Sequence, residues 1–213
     1  MVTQQIDKAP SLHKKLDELI LVIKRDTLFA GNAWQGIMQQ DTEKYIERII
    51  QHQEFQPRLF METDPTYKQV IPYLIFTHDN RLFLMQRHAQ ASEKRLQNKY
   101  TLGIGGHIRQ EDITGKDLIS WADREFHEEI SYTDPVKITP IGLLNDDSNP
   151  VGQVHVGLVF LVHGSSPHIS VKSELAHGFL ATYEECNTHV PLMETWSQIA
   201  YTALHKMFVD RAK

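Results

Sequence analysis

The stretch GGHIRQEDITGKDLISWADREFHEEISY, residues 105–132, carries the most informative pattern of the sequence. Two glycines open it, and apolar residues then recur at helical spacing. When the segment is wound at about 100° per residue, Glu125, Glu128 and Glu129 fall on an arc beside the apolar one. We therefore predict a helix from near Lys116 to Ile130 whose acidic edge borders its buried face. The apolar arc consists of Leu118, Ile119, Ala122, Phe126 and Ile130.

The acidic edge of this helix favours a metal site. Glu125 precedes Glu128 by three residues and Glu129 by four, so the three carboxylates can converge. Like charges at this spacing cost a few tenths of a kcal/mol per pair, and Arg124 relieves only part of that. A solvated acidic face is the simpler alternative. The apolar border, the adjacent arginine and the Gly-Gly strand end favour a functional cluster, and clustered oxygen ligands suit Mg²⁺ or Mn²⁺.

Residues 105–132 resemble a Nudix box. The family pattern is Gly, five residues, Glu, seven residues, then Arg-Glu-apolar-any-Glu-Glu-any-Gly-apolar, and residues 124–129 (REFHEE) match its core in full. The strand and helix order from about Tyr67 to Glu185 also follows the family. A bacterial subgroup of predicted Nudix phosphoesterases is the most similar group. The resemblance implies an α/β fold, a Nudix-like α/β/α sandwich with a mixed sheet. The first sixty residues lie outside the resemblance and are predicted to be an N-terminal helical extension.

The resemblance also implies a role for each residue of the box. Glu125, Glu128 and Glu129 would be metal ligands, with Glu125 sometimes the base, and the Gly105 carbonyl would complete the coordination. Arg124 would orient the carboxylates by bidentate pairing. Bound Mg²⁺ or Mn²⁺ would neutralise diphosphate oxygens and lower the pKa of a water that attacks phosphorus. The expected activity is metal-dependent hydrolysis of a nucleoside diphosphate-linked or other organic diphosphate.

The general base is left open by the sequence. Outside the helix, Glu174, Asp146 and Asp147 are candidates. His107 directly follows the glycine pair, so a place lining the site and an ordinary structural role are equally reasonable. His155 lies within a predicted strand, where a hydrogen-bonded core histidine is a better interpretation than a cleft residue.

Two departures from the family pattern stand out. Asp112 occupies the position of the first Glu, and eleven residues (113–123) separate it from Arg124 where the family has seven. We predict a looped excursion at residues 112–116, because Gly115 disfavours an added helical turn. Ser131 replaces the glycine that should close the helix, which puts the local turn in doubt.

The remainder of the chain is predicted to be two parts, a helical N-terminal extension (1–64) and a catalytic domain with a C-terminal helix (65–213). Before residue 60 the sequence shows no strand signal. Leu12, Leu16 and the run at 19–23 predict one helix, and Asp41 is a suitable N-cap for a second. Strands are predicted near 70–76, 82–85, 100–108, 138–144, 154–162 and 179–182, followed by a helix over 192–209.

Composition limits the partners and the compartment. The 213 residues carry a formal charge of -5, which argues against a duplex nucleic-acid binder. The apolar run at 19–23 is far shorter than the roughly 20 residues of a membrane-spanning helix. A lone cysteine fits a reducing compartment, so we expect a cytoplasmic protein. The resemblance implies a small-molecule diphosphate substrate, and a homodimer is left open. Basic residues before the glycine pair could reach substrate phosphates, although ordinary surface charge is the default interpretation; they are Arg81, Arg87, His88, Lys94, Arg95 and Lys99.

Two other functions compete with hydrolysis. A non-catalytic ligand sensor would use the N-terminal helices as an interaction module, but the intact glutamate cluster favours catalysis. A diphosphate isomerase on the same fold would need a cysteine in the cleft. Cys186 lies late in the chain in a segment predicted to be helical, which argues against that activity and for a structural thiol.

Overall fold

The computed structural model describes residues 18–88, 97–113, 118–172 and 175–208 of the chain. The strands are β1 (Leu19–Lys24), β2 (Gly36–Met38), β3 (Glu54–Pro57), β4 (Tyr67–His78), β5 (Arg81–Arg87), β6 (Tyr100–Thr101), β7 (Gly103–Ile104), β8 (Ile130–Ser131), β9 (Val136–Asn145), β10 (His155–Gly164), β11 (Ser170–Val171) and β12 (Leu175–Ala181). The helices are α1 (Arg25–Phe29), α2 (Thr42–His52), α3 (Arg58–Met61), α4 (Leu118–Glu129), α5 (Pro150–Val154), α6 (Tyr183–His189) and α7 (Thr195–Phe208).

A mixed sheet forms the centre of the molecule, with the order β12-β5-β4-β10-β9-β2. Strands β4 and β10 run parallel over nine residue pairs, from His155 opposite Gln69 to His163 opposite Thr77. The flanking pairs of β9 with β10 and of β5 with β12 are antiparallel. Both central strands are almost continuously buried, because each is covered on its two faces. These strands confirm the predictions from the apolar runs near 70–76 and 154–162.

Helices cover both faces of the sheet. In β4, Leu74 and Phe76 point to the side where Phe126 of α4 packs, and the Phe76 and Phe126 rings stack 5.9 Å apart. Tyr73 and Ile75 point to the opposite side, where α6 and α7 pack. This two-sided covering confirms the α/β class with a mixed sheet.

The prediction of a helix through residues 19–23 is wrong. Those residues form β1, which pairs antiparallel with β3 on one side and with the start of β4 on the other. Five consecutive apolar residues suit a strand buried on both faces as well as a helix, and here pairing on both edges decides for the strand. Leu12 and Leu16 lie outside the described residues. Strands β2 and β3 likewise correct the expectation that no strand occurs before residue 60.

The second predicted N-terminal helix is confirmed as α2, with Asp41 at its N-cap position. An aromatic chain attaches this region to the core, since Trp34 lies 5.0 Å from both Phe29 and Tyr45. The boundary at residue 64 stays a prediction; β1, β2 and β3 belong to the same sheet as β4. In the described part of the chain, no helix is both long and apolar enough to cross a membrane.

Candidate active site

The two glycines at the end of β7 let the chain pass closely between β4 and α4. A Cβ atom on Gly105 would lie 2.3 Å from the carbonyl oxygen of Pro72. A Cβ on Gly106 would lie 2.4 Å from Oε1 of Glu125. No side chain fits at either position without a shift, so the glycine pair brings loop backbone directly against the Glu125 carboxylate. The place of the Gly105 carbonyl in metal coordination stays a prediction.

Burial and neighbouring charges disfavour the ionised form of Glu125. It is partly buried, and among the described residues it accepts no hydrogen bond and forms no ion pair. Burial first, and then repulsion from Glu128 and Glu129, raise the pKa of Glu125 from 4.5 to about 7, against the opposing effect of Arg124. The negative charge of the ionised group is therefore poorly compensated by the protein.

Arg124 bridges two carboxylates instead of pairing in a bidentate manner with one. One of its guanidinium nitrogens contacts Glu128, and the other lies 3.3 Å from Oδ1 of Asp112. Asp112 is itself held by Arg109, through the backbone N–H at 2.9 Å and two guanidinium contacts at 3.0 and 3.1 Å. Burial opposes ionisation of Asp112, but the hydrogen bonds from Arg109 outweigh it and hold its pKa below the usual range. Asp112, which occupies the position of the family's first Glu, thus anchors Arg124.

The acidic side chains do not converge into a metal-binding group in this conformation. Across the described residues, no three His, Cys, Asp or Glu side chains are placed to hold a metal ion together. The physical reason is that like charges on adjacent turns repel, while Arg124 draws Glu128 towards itself. Glu129 lies on the same edge and is close enough to raise the pKa of Glu125.

The structure describes the first departure from the family pattern in part and the second in full. A short 3₁₀ turn at Gln110–Asp112 ends at Ile113, whose φ of -93° and ψ of 82° are not helical. Residues 114–117 lie outside the described residues, so the looped excursion over 112–116 stays a prediction. At the other end, α4 runs straight into β8, and Ser131 pairs with Ser170 without a left-handed backbone. No glycine is needed where a helix passes directly into a strand.

Two of the acids considered as general bases have structural roles. Asp146 is fully buried and accepts hydrogen bonds from Gln35, Ser148 and Asn149. Burial would raise the pKa of Asp147, but hydrogen bonds from Arg25 and Lys68 outweigh it and hold that pKa far below its usual range.

The Lys68 ammonium is fully buried. It lies 2.8 Å from Oδ1 of Asp147 and also donates to the carbonyls of Gly152 and His155, at 2.7 and 3.2 Å. The sequence analysis missed this lysine, because a charge at a strand start carries no signal of burial. The third candidate base, Glu174, lies outside the described residues.

The two histidines weighed from the sequence meet beside the glycine pair. The rings of His107 and His155 are in edge contact, with centroids 5.5 Å apart. His107 Nε2 lies 2.7 Å from Oε1 of Gln69, and His155 Nδ1 lies 2.7 Å from the carbonyl of Val151. His155 is thus a hydrogen-bonded, nearly buried histidine, as predicted. Gln69 was missed, because a lone glutamine in a strand has no motif.

Cys186 and the basic residues before the glycine pair are less informative. Cys186 is fully buried on the face opposite α4, and burial raises the pKa of its thiol to about 12. A thiol there cannot serve as the acid or base of an isomerase beside α4.

Among the basic residues before the glycine pair, Arg87 pairs with Glu194 at 3.4 Å, whereas Lys94 and Arg95 lie outside the described residues.

Comparison with known proteins agrees with this geometry. Protein YmaB of Bacillus subtilis (strain 168) is 32% identical over 205 residues, covering 89% of this chain and 98% of that protein. The crystal structure of Tm1382, a protein assigned provisionally to the Nudix hydrolases, matches with a TM-score of 0.77 and 31% identity, covering 90% of this chain and all of Tm1382. DR0079 from Deinococcus radiodurans, at 13% identity, a TM-score of 0.50 and coverage of 74% and 91%, shares the fold alone.

No family model matches the chain. The relationship therefore rests on the two relatives that exceed 30% identity and span nearly the whole chain. They extend the resemblance of residues 105–132 to nearly the full length of the protein. This chain belongs to the Nudix hydrolase family and is a phosphoric anhydride hydrolase.

Proposed function

We propose that this protein is a Mg²⁺- or Mn²⁺-dependent hydrolase that cleaves the diphosphate bond of a nucleoside diphosphate-linked or other organic diphosphate. The observation that carries the proposal is the state of Glu125. Its carboxylate is partly buried, packs against Gly106 and is repelled by Glu128 and Glu129. Such a group is costly without a nearby cation and becomes favourable with one.

The donor types of this site, rather than their spacing in this conformation, fit a hard divalent cation. The proposed donors are carboxylate oxygens and one backbone carbonyl, which suit Mg²⁺ and Mn²⁺ better than softer metals. Glu125, Glu128 and Glu129 would hold the ion together with the Gly105 carbonyl. When bound, the ion would supply charge neutralisation for the diphosphate and an activated water.

The protein's own residues prepare this site. Arg109 fixes Asp112, Asp112 contacts Arg124, and Arg124 in turn contacts Glu128. This chain of ion pairs keeps the positive charge of Arg124 beside the acidic edge, where it offsets part of the repulsion among the carboxylates.

Two further assignments follow from the same chemistry. Because Asp146 and Asp147 are engaged in structural hydrogen bonds, Glu125 and Glu174 remain the candidates for the general base. A free, buried Cys186 is compatible with the cytoplasm, which we propose as the compartment.

The test is a substrate screen with matched variants. Nucleotide sugars, dinucleotides, nucleoside triphosphates and prenyl diphosphates are offered with Mg²⁺ or Mn²⁺, and phosphate-containing products are measured. Glu128→Gln and Glu129→Gln should each lower turnover by at least about 100-fold, since removing a metal ligand removes the charge stabilisation of the transition state. Glu111→Gln, which changes an exposed glutamate of the neighbouring turn, should retain turnover.

Near-wild-type turnover in both the Glu128→Gln and Glu129→Gln variants would contradict the metal-site assignment. Tight binding of a diphosphate by the wild-type protein without turnover on any substrate would instead favour the non-catalytic sensor.

A further inference from the structure

Gln69 is a buried glutamine that joins three parts of the chain. It lies near the start of β4 with 1% of its surface exposed. Its amide nitrogen donates to the Met61 carbonyl at 3.0 Å, and its amide oxygen lies 2.7 Å from Nε2 of His107. Two segments before residue 64 are adjacent to it, because Met61 ends α3 and Val22 of β1 pairs directly with Gln69.

The orientation of this amide is determined by its partners. The Met61 carbonyl can only accept a hydrogen bond, so the amide nitrogen must face it and the amide oxygen must face His107. Because that oxygen can only accept, Nε2 of His107 carries the proton and donates to it. Gln69 therefore fixes both the orientation of the His107 ring and the nitrogen that bears its proton.

This hydrogen bond acts on the loop that meets Glu125. His107 directly follows Gly106, the glycine that packs on the Glu125 carboxylate, and Gly105 lies against Pro72, three residues after Gln69. The same loop is also held by β1. The Leu21 amide donates to the Ile108 carbonyl at 2.7 Å, and Arg109 forms an antiparallel β-bridge with Ile20.

We propose that Gln69 and His107 are positioning residues that, with β1, hold the Gly105–Gly106 backbone against Glu125 in the geometry needed for the divalent cation. This inference rests on the proposed metal-dependent function. It also gives the segment before residue 64 a role in the active site, because β1 and α3 supply the hydrogen bonds that complete this support. Groups that orient a metal ligand typically change metal affinity by about 10- to 100-fold when removed.

The first measurement is the Mn²⁺ dissociation constant of full-length variants. Gln69→Met keeps the side-chain length but removes both hydrogen bonds, and we expect the dissociation constant to rise at least about tenfold. Gln198→Met is the matched control. Gln198 also donates its amide to two carbonyls, those of Val190 and Met193, but on the opposite face of the sheet. It should lower the melting temperature without changing Mn²⁺ affinity.

A conservative variant separates positioning from general damage. Gln69→Glu keeps an acceptor for His107, and because burial favours the neutral acid its O–H can still donate to the Met61 carbonyl, so at pH 6 this variant should recover most of the Mn²⁺ affinity. Hydrogen exchange of the metal-free protein gives a second readout. In Gln69→Met the Leu21 amide should exchange faster, because its acceptor lies in the loosened loop, whereas amides of the β4–β10 ladder should not change.

The outcomes are distinguishable. If Gln69→Met binds Mn²⁺ as tightly as the wild type and its Leu21 amide exchanges at the same rate, the positioning role is overturned and the proposed function stays intact. No Mn²⁺ binding by the wild-type protein would overturn the proposed function, and this inference with it. Weaker binding in Gln69→Met that Gln69→Glu restores would support the inference.

Discussion

The unfavourable charge at Glu125 predicts an unusual gain in stability from a single substitution. A pKa raised from 4.5 to about 7 means that the folded, metal-free protein binds the proton of Glu125 more tightly than the unfolded chain does. The ionised carboxylate then costs at most about 3 kcal/mol of folding free energy. Glu125→Gln removes the ionisation, so it should raise the free energy of unfolding by about 1 to 3 kcal/mol at pH 8.

The pH dependence gives the sign of this effect. Below pH 4.5 the carboxyl is mostly protonated in both states and the penalty is absent. The penalty grows as the pH rises from 4.5 to about 7 and is complete above that value. The variant should therefore match the wild-type protein at pH 4 and exceed it at pH 8.

The assay is urea denaturation with a chelator present, at pH 4 and at pH 8. Glu111→Gln is the control, since this exposed side chain pairs with Arg109 at the edge of the loop, and it should show no such pH-dependent gain. Adding millimolar Mn²⁺ should reverse the order at pH 8, because the cation stabilises the wild-type protein more than the variant. Equal stability of wild type and Glu125→Gln at pH 8 in the chelator would refute the reasoning.

Three further predictions follow from other parts of the structure. Asp147→Asn should cost about 3 kcal/mol at pH 7, because it leaves the buried Lys68 ammonium without its counter-charge. The difference in free energy of unfolding between this variant and the wild type should shrink as the pH falls below about 4, because a carboxylate whose pKa is lowered in the folded state loses its stabilising contribution in acid. A difference that stays constant down to pH 2 would contradict this. Millimolar Mn²⁺ should raise the melting temperature of the wild-type protein, because binding to the folded state adds about 2.7 kcal/mol of stability at a hundredfold excess over the dissociation constant. An unchanged melting temperature would argue for a degenerate site. Deleting residues 113–116, which spares Asp112, should leave Mn²⁺ binding intact if this stretch is a loop; a folded deletion variant that binds no Mn²⁺ in calorimetry would indicate an added helical turn.

Local patterns predicted the central fold well. The apolar runs at β4 and β10 and the periodicity of α4 are properties of contiguous residues, and each element forms where its pattern indicated. The prediction for residues 19–23 was wrong because a short, continuous apolar stretch has no periodicity that distinguishes a strand from a helix. The conformation of this stretch is decided by partners more than thirty residues away, at β3 and β4.

The acidic edge of the candidate site could be predicted because helical spacing places Glu125, Glu128 and Glu129 on neighbouring turns. Their surroundings could not be predicted in the same way. The supporting hydrogen bond between Gln69 and His107, for example, joins residues 38 positions apart. A buried polar group is recognisable only when its partners are known, and neither Gln69 nor Lys68 lies in a motif.

The most direct test of the metal site is a titration of the protein with Mn²⁺ in which electron paramagnetic resonance measures the concentration of the free ion. We predict saturable binding by the wild-type protein, a loss of at least about tenfold in affinity in Glu125→Gln and Glu129→Gln, and unchanged affinity in Glu111→Gln. Equal affinity in all four proteins, or no binding by the wild type at millimolar Mn²⁺, would contradict the assignment of this helix as the metal site.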